Sequence, residues 1–161
     1  MIRLTDRQIA DFCHRSYHAV DGLWFMKIEE RYGFDAALDL DNEVWKVLPK
    51  IQARMLKSLA ENQGGLDGLS ECLACKLDME GFEFEIEGGN DGRLFRVKVS
   101  QCPWHNAMVK SGRESLSGTI NSLVCNTEYS VWASEFADNI SLEYGERICT
   151  GSECCVIEFR T

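Results

Sequence analysis

The apolar residues of this chain change their repeat near Gly81, and that change confines it to folds that join helices to an antiparallel sheet. Before Gly81 they recur every three or four residues, the spacing of a helix with one buried face. After it, Phe82-Glu83-Phe84-Glu85-Ile86-Glu87 alternates strictly, and Phe95, Val97 and Val99 alternate with Arg96 and Lys98. A repeat of two is that of a strand with one wet side, and Gly88-Gly89-Asn90-Asp91-Gly92 between the runs predicts a hairpin.

Thr5 and Gln8 have the spacing of a capping box. Ile9, Phe12, Cys13, Tyr17, Val20, Leu23, Trp24 and Ile28 then predict one amphipathic helix from about residue 6 to 32, stopped by Gly33. A second helical stretch follows from about residue 34 to 59, with Val44, Trp45, Val47, Leu48, Ile51, Met55 and Leu59 as its buried stripe, a kink at Pro49, and Asn62-Gln63-Gly64-Gly65 as its end. Leu66, Leu69, Leu73 and Leu77 predict a third helix over about 66 to 79. Residues from about 103 to 137 return to helix, with breaks expected near Ser111-Gly112 and at Cys125-Asn126-Thr127. Two short strands, about 140 to 147 and 154 to 160, close the chain around Cys149-Thr150-Gly151-Ser152. The expected fold is α+β, with N-terminal helices packed on a mostly antiparallel sheet of about four strands and further helices interleaved. At 161 residues and 45% hydrophobic content this reads as a single domain, with a helical part over 1–80 and a strand-helix-strand part over 81–161.

Twenty-six acidic against 17 basic side chains leave a net charge of −9, a field that repels phosphate backbones and anionic lipid surfaces. Neither a nucleic-acid partner nor a membrane is expected. Met1 to Gln8 has charges where a signal peptide needs an apolar region, and no stretch approaches about 18 uncharged apolar residues, so a cytoplasmic location is expected. In a reducing compartment the eight cysteines read as buried thiols, metal ligands or reactive groups rather than structural disulfides.

Four cysteines fall at predicted element ends: Cys102 after a strand, Cys125 between helices, Cys149 in the last turn and Cys155 in the last strand. Element ends are where distant residues meet in one cavity. Cys155 shares the parity of Ile157 and Phe159 and is expected to point inward, whereas Cys154 is expected to point outward. Cys102 with His105, and Cys125 with Glu128, are three residues apart, on one side of a helical turn. Such groups suit zinc or an iron-sulfur cluster, with Cys102, Cys125, Cys149 and Cys155 as ligands. They equally suit a thiolate nucleophile with His105 or Glu128 moving protons. The plainer alternative is that the thiols are small core residues. That alternative is preferred for Cys13 and for the Cys72-Leu73-Ala74-Cys75 pair, which sits inside an amphipathic helix.

Cys102-Pro103-Trp104, Cys125 with an acid three residues on, and a Gly-rich turn before a closing strand with Cys155 resemble the L-2-amino-thiazoline-4-carboxylate hydrolase family and its uncharacterised prokaryotic relatives. The run Leu23 to Phe34, with Asp39 to Trp45 after it, looks like those relatives in particular, and the segment Glu146 to Phe159 is similar to the end of vinyl-4-reductase type domains. The first resemblance implies a hydrolase acting on the C–N bond of a small cyclic amidine-like substrate, with Cys102, Cys125 and Cys155 at its site. The second implies a small-molecule-binding module with a metal-binding, cysteine-rich end. Glu128 stands where the hydrolases usually show aspartate, and Gly151-Ser152 where they show Gly-Asp.

His14, His18 and Asp21 fall at about 140°, 180° and 120° on a helical wheel counted from Ile9, well away from the stripe of Phe12, Val20, Leu23 and Trp24. Two imidazoles and a carboxylate on one face could hold a metal or, with Trp24 at the edge, a cofactor. They could equally form a polar flank covered by a neighbouring helix. Phe25 and Tyr32 lie on the same flank, and such an aromatic face is expected to be covered by helices or by a second copy in a homodimer.

Overall fold

The computed structural model describes residues 2–61, 63–89 and 92–161. Asn62 of the predicted helix end and Asn90 and Asp91 of the predicted hairpin turn lie outside the described residues. The fold is α+β: six α-helices and four strands among the described residues, the strands forming one antiparallel sheet. The chain falls into two compact units that meet between Glu43 and Val44.

The first unit holds α1 (Asp6–Tyr32) and α2 (Phe34–Trp45), whose last two residues pass into the second. Thr5 and Gln8 form the expected capping box at the start of α1, and Gly33 ends it at φ 90°, a conformation that favours glycine. Phe25 packs edge-on against Phe34, with ring centroids 6.0 Å apart. The inward face of α1 differs from the expected one. His14, Tyr17, His18, Asp21, Phe25 and Ile28 are half-buried, while Ile9, Phe12, Val20, Leu23 and Trp24 are exposed. Cys13, expected in the core, is exposed with that stripe.

Burial and the nearby Asp41 carboxylate push the Asp21 carboxyl up to about 7. A carboxyl raised on folding stabilises the protein most below its unfolded value and loses that contribution as pH rises through the folded value. Asp21→Asn is therefore expected to raise the melting temperature at pH 8, by up to about 4 kcal/mol in stability, and to leave it unchanged at pH 3.5. Thermal melts at the two pH values check this, and equal shifts at both would remove the Asp21 assignment.

The second unit carries α3 (Leu48–Lys57), α4 (Gly65–Met79), α5 (Pro103–Lys110) and α6 (Glu114–Ser134), with β1 (Glu83–Gly88), β2 (Leu94–Gln101), β3 (Ser141–Tyr144) and β4 (Cys155–Arg160). The strand order is β1-β2-β4-β3. Leu66, Leu69, Leu73 and Leu77 of α4 are all buried, as their spacing predicts, and join Phe95, Val97, Val99, Trp132, Ile157 and Phe159 in the core. The opposite face of the sheet is charged, with Arg96 beside Glu158 and Arg160 beside Glu143.

Two expected elements are redrawn. The stretch 34–59 is two helices, not one kinked helix, because the chain turns at Lys46 and Val47 and restarts at Leu48-Pro49, where proline suits a first turn. That restart shifts the helical phase, so Pro49, Ala53 and Leu56 are buried, while Val44, Val47, Ile51, Met55 and Leu59 of the expected stripe are exposed. Conversely, α6 runs unbroken through Cys125-Asn126-Thr127. Asn and Thr are weak helix formers, but Ile120, Val124, Tyr129 and Trp132 are buried around them, and packing overrides propensity.

Candidate functional site

Where β2 ends and β4 begins, the sheet, α5, α6 and the turn before β4 enclose a cleft of about 440 Å³, its mouth included. Val99 of β2 pairs with Cys155 of β4 there, and Cys155 faces the cleft as the strand parity predicts. Cys102 caps the start of α5, its Sγ accepting the His105 backbone N–H at 3.5 Å. Cys125 enters from the middle of α6, and Cys149 from a short 3₁₀ turn, Ile148–Thr150. Four thiols from four segments thus line one cleft, with His105, Asn121, Arg147 and the rings of Phe82, Tyr129 and Tyr144. Cys72 is buried in the core, Cys13 and Cys75 are exposed, and none of the three is among the residues that line the cleft. Cys154 is buried rather than outward in water, its thiol 3.5 Å from a Glu146 carboxylate oxygen.

Local contacts fix this wall. The Ile148 backbone N–H donates to Cys155 Sγ at 3.2 Å, and Tyr144 Oη donates to the Cys125 carbonyl at 2.7 Å. Gly118 lets α6 approach the 3₁₀ turn, since a Cβ there would lie 3.2 Å from the Cys149 carbonyl oxygen. Arg147 lies over the Tyr144 ring at 3.7 Å and donates to the neutral Asn126 side-chain oxygen at 2.8 Å.

Burial pushes the Cys102 thiol up to about 11 and the Cys125 thiol well above the usual thiol range. Cys149 and Cys155 are raised by burial too, with Arg147 working against it. All four are neutral thiols at pH 7, not the thiolates that attack or alkylate quickly. Exposed Cys13 and Cys75 are accordingly expected to react with iodoacetamide at pH 7.5 at least about tenfold faster than any cleft thiol. Time-resolved mass mapping checks this, and a fast-reacting Cys102 or Cys125 would identify a nucleophilic thiolate in the cleft.

Glu128 does not line the cleft. It is buried behind it, 2.6 Å from Lys76 Nζ, and Lys76 also meets Glu80 at 3.0 Å. The Glu128 charge reaches the cleft nonetheless, adding to burial in raising the Cys125 and Cys102 thiols. His105 does line it, and its buried Nδ1 makes no hydrogen bond among the described residues.

His14 and His18 pack edge-on at 4.4 Å and share their half-buried face with Asp21, while Trp24 is exposed on another face of α1. All the residues lining the cleft belong to the unit Val44–Thr161. Among the described residues no group of three or more His, Cys, Asp or Glu side chains is gathered to hold a metal ion.

Sequence reasoning passed over Asn121, Tyr144 and Arg147. For Arg147 one signal was present, a single basic residue directly before the turn that carries Cys149. Among the described residues, no helix is long and apolar enough to cross a membrane. The family of unknown function DUF6125 matches residues 5–151, and the chain belongs to it. No curated protein matches the chain.

Proposed function

We propose, for this member of DUF6125, that the cysteine-lined cleft binds a small, soft heterocycle bearing a carboxylate. The observation that carries this reading is the set of four neutral thiols, three aromatic rings and one guanidinium around a single cleft. Thiols and rings offer polarizable contact to sulfur and flat π-systems. Arg147, hydrogen-bonded only to a neutral amide oxygen in the contacts described above, is suited to a ligand carboxylate. Where the ligand carries an amidine-like C=N carbon, the cleft supports hydrolysis of its C–N bond. Water adds across the C=N bond, His105 Nδ1 passing one water proton to the nitrogen; the hydroxyl adduct then collapses to a carbonyl, breaking the C–N bond as its proton passes through His105 to the departing nitrogen. The thiols bind and orient in this scheme, because burial keeps them protonated.

The test is calorimetric titration with L-2-amino-thiazoline-4-carboxylate beside 2-amino-thiazoline, which lacks the carboxylate, followed by chromatography of the incubated mixture. Binding of the acid that is at least about tenfold tighter, and lost in Arg147→Gln, is the expected result. Equal binding of both compounds, or of neither, overturns the reading. A second reading, a bound zinc ion or iron-sulfur cluster, is favoured by the four thiols alone. Elemental analysis and a visible spectrum of anaerobically purified protein decide it: brown colour with iron and acid-labile sulfide would replace the small-molecule proposal with a metal-holding module.

A further inference from the structure

No residue of α1 is buried, and Ile9, Phe12, Val20, Leu23 and Trp24 keep 48 to 69% of their surface exposed along one face. Ile9, Cys13, Ser16, Val20, Leu23 and Lys27 along that face are spaced 4, 3, 4, 3 and 4 residues apart. Ile9, Val20 and Leu23 thus form an apolar seam, with small Cys13 and Ser16 between them and exposed Phe12 and Trp24 flanking it, a stripe that a second helix can cover. We propose that this seam pairs with the same seam of a second copy of the chain, antiparallel about a two-fold axis at Ser16.

Three properties of the face select a second copy in this orientation. The first is internal symmetry. Positions that sum to 32 face each other across an axis at residue 16, so Ile9 meets Leu23 and Phe12 meets Val20, large apolar groups against large apolar groups on both sides. Ser16 itself, a small residue, sits at the crossing point and lets the backbones approach. The second is charge. Asp6, in the first turn of α1, comes beside Lys27 of the other copy, so the pairing places opposite charges together at both ends of the seam. A parallel pairing sets Asp6 against Asp6 and Lys27 against Lys27. The third is area. At about 150 to 250 Å² for each whole ring, exposed Phe12 and Trp24 together offer roughly 270 Å² per copy, and Ile9, Val20 and Leu23 add smaller aliphatic areas. The pair then hides an area near the roughly 1,000 Å² expected of a specific interface. This pairing uses the exposed stripe and leaves the half-buried face of His14, His18, Asp21 and Phe25 out of the interface. It is independent of the cleft and of what the cleft binds.

Sedimentation equilibrium on the full chain tests the pairing. The wild type is expected to be a dimer, and Val20→Glu a monomer with an unchanged far-ultraviolet circular dichroism spectrum. Lys27→Asp reverses a charge at two symmetry-related contacts and is expected to weaken the dimer about tenfold, with Asp6→Lys in the same chain restoring it. A wild type that stays monomeric at high micromolar concentration overturns the proposal; if that monomer also floats with phosphatidylcholine vesicles, the stripe belongs to a lipid surface. A Val20→Glu protein that still dimerises overturns it equally. Failure of the double charge swap to recover the dimer discards the antiparallel register.

Discussion

Lys76→Met is expected to cost about 3 to 5 kcal/mol of folding stability, enough to leave much of the protein unfolded at 37 °C. Lys76 is almost wholly buried, and its ammonium lies 2.6 Å from Glu128 and 3.0 Å from Glu80. It also lies 5.4 Å and 5.3 Å from the ring centroids of Phe82 and Tyr129, both of which line the cleft. Burial alone would lower the ammonium's proton affinity, but Glu128 and then Glu80 outweigh it and raise that affinity above the usual lysine range. A base held more tightly charged in the folded state stabilises at every pH below its unfolded value, and that contribution declines only above it. The lysine's own contribution is therefore expected to be the same at pH 6 and pH 9, so a smaller loss in Lys76→Met at pH 6 reports protonation of the two abandoned carboxylates. Methionine fills the space of the stem, so the deficit comes from two buried carboxylates left without a cation, not from a cavity. Removing those charges as well, in Lys76→Met/Glu80→Gln/Glu128→Gln, is expected to recover at least half of the loss. Urea midpoints of the two variants measure both effects. A single substitution costing under about 1 kcal/mol would mean that water reaches the triad.

How far such features could be read from the sequence depended on how many physical signals agreed at each position. The α4 stripe was legible because four leucines at helical spacing leave one orientation with a buried face, and the hairpin because strict alternation has one folded counterpart. Lys76 was legible only in principle. It falls about 20° from Leu69 on the helical wheel, inside the apolar edge, but a lysine there ordinarily extends its head into water. Only Glu80 and Glu128 hold it in, and Glu128 lies on a different helix. The α1 and α3 stripes failed for a related reason: apolar periodicity identifies a face to be covered without saying which molecule covers it. In α1 the face with two histidines and an aspartate is the half-buried one, a choice against simple hydrophobicity that no local signal encodes. The site itself was partly legible. Element ends and strand parity pointed to Cys102, Cys125, Cys149 and Cys155, but the end expected at Cys125 does not exist, and that thiol reaches the same cleft from the middle of a helix. Arg147 and Tyr144 needed the fold, because their relation to the thiols is made by the turn before β4.

Cys125→Ser is expected to lower the affinity of the cleft for L-2-amino-thiazoline-4-carboxylate at least about tenfold while costing no more than about 1 kcal/mol of stability. The two effects separate because of where Cys125 stands. Its backbone belongs to the middle of α6 and its carbonyl accepts the Tyr144 hydroxyl at 2.7 Å, and neither changes in serine. A serine hydroxyl on a helix can also donate to the carbonyl one turn earlier, which satisfies most of the polarity it introduces. What is lost is the sulfur. Cys125 is half-buried at the cleft wall, neutral through burial, and presents a polarizable surface where serine presents a smaller hydroxyl that holds water. Cys72→Ser is the matched control. That thiol is buried in the core and does not line the cleft, so its substitution is expected to lower stability with no change in affinity. Titration calorimetry and thermal melts on the two variants give the four numbers needed. A Cys125→Ser protein with wild-type affinity would remove the thiols from the binding site, whatever its stability.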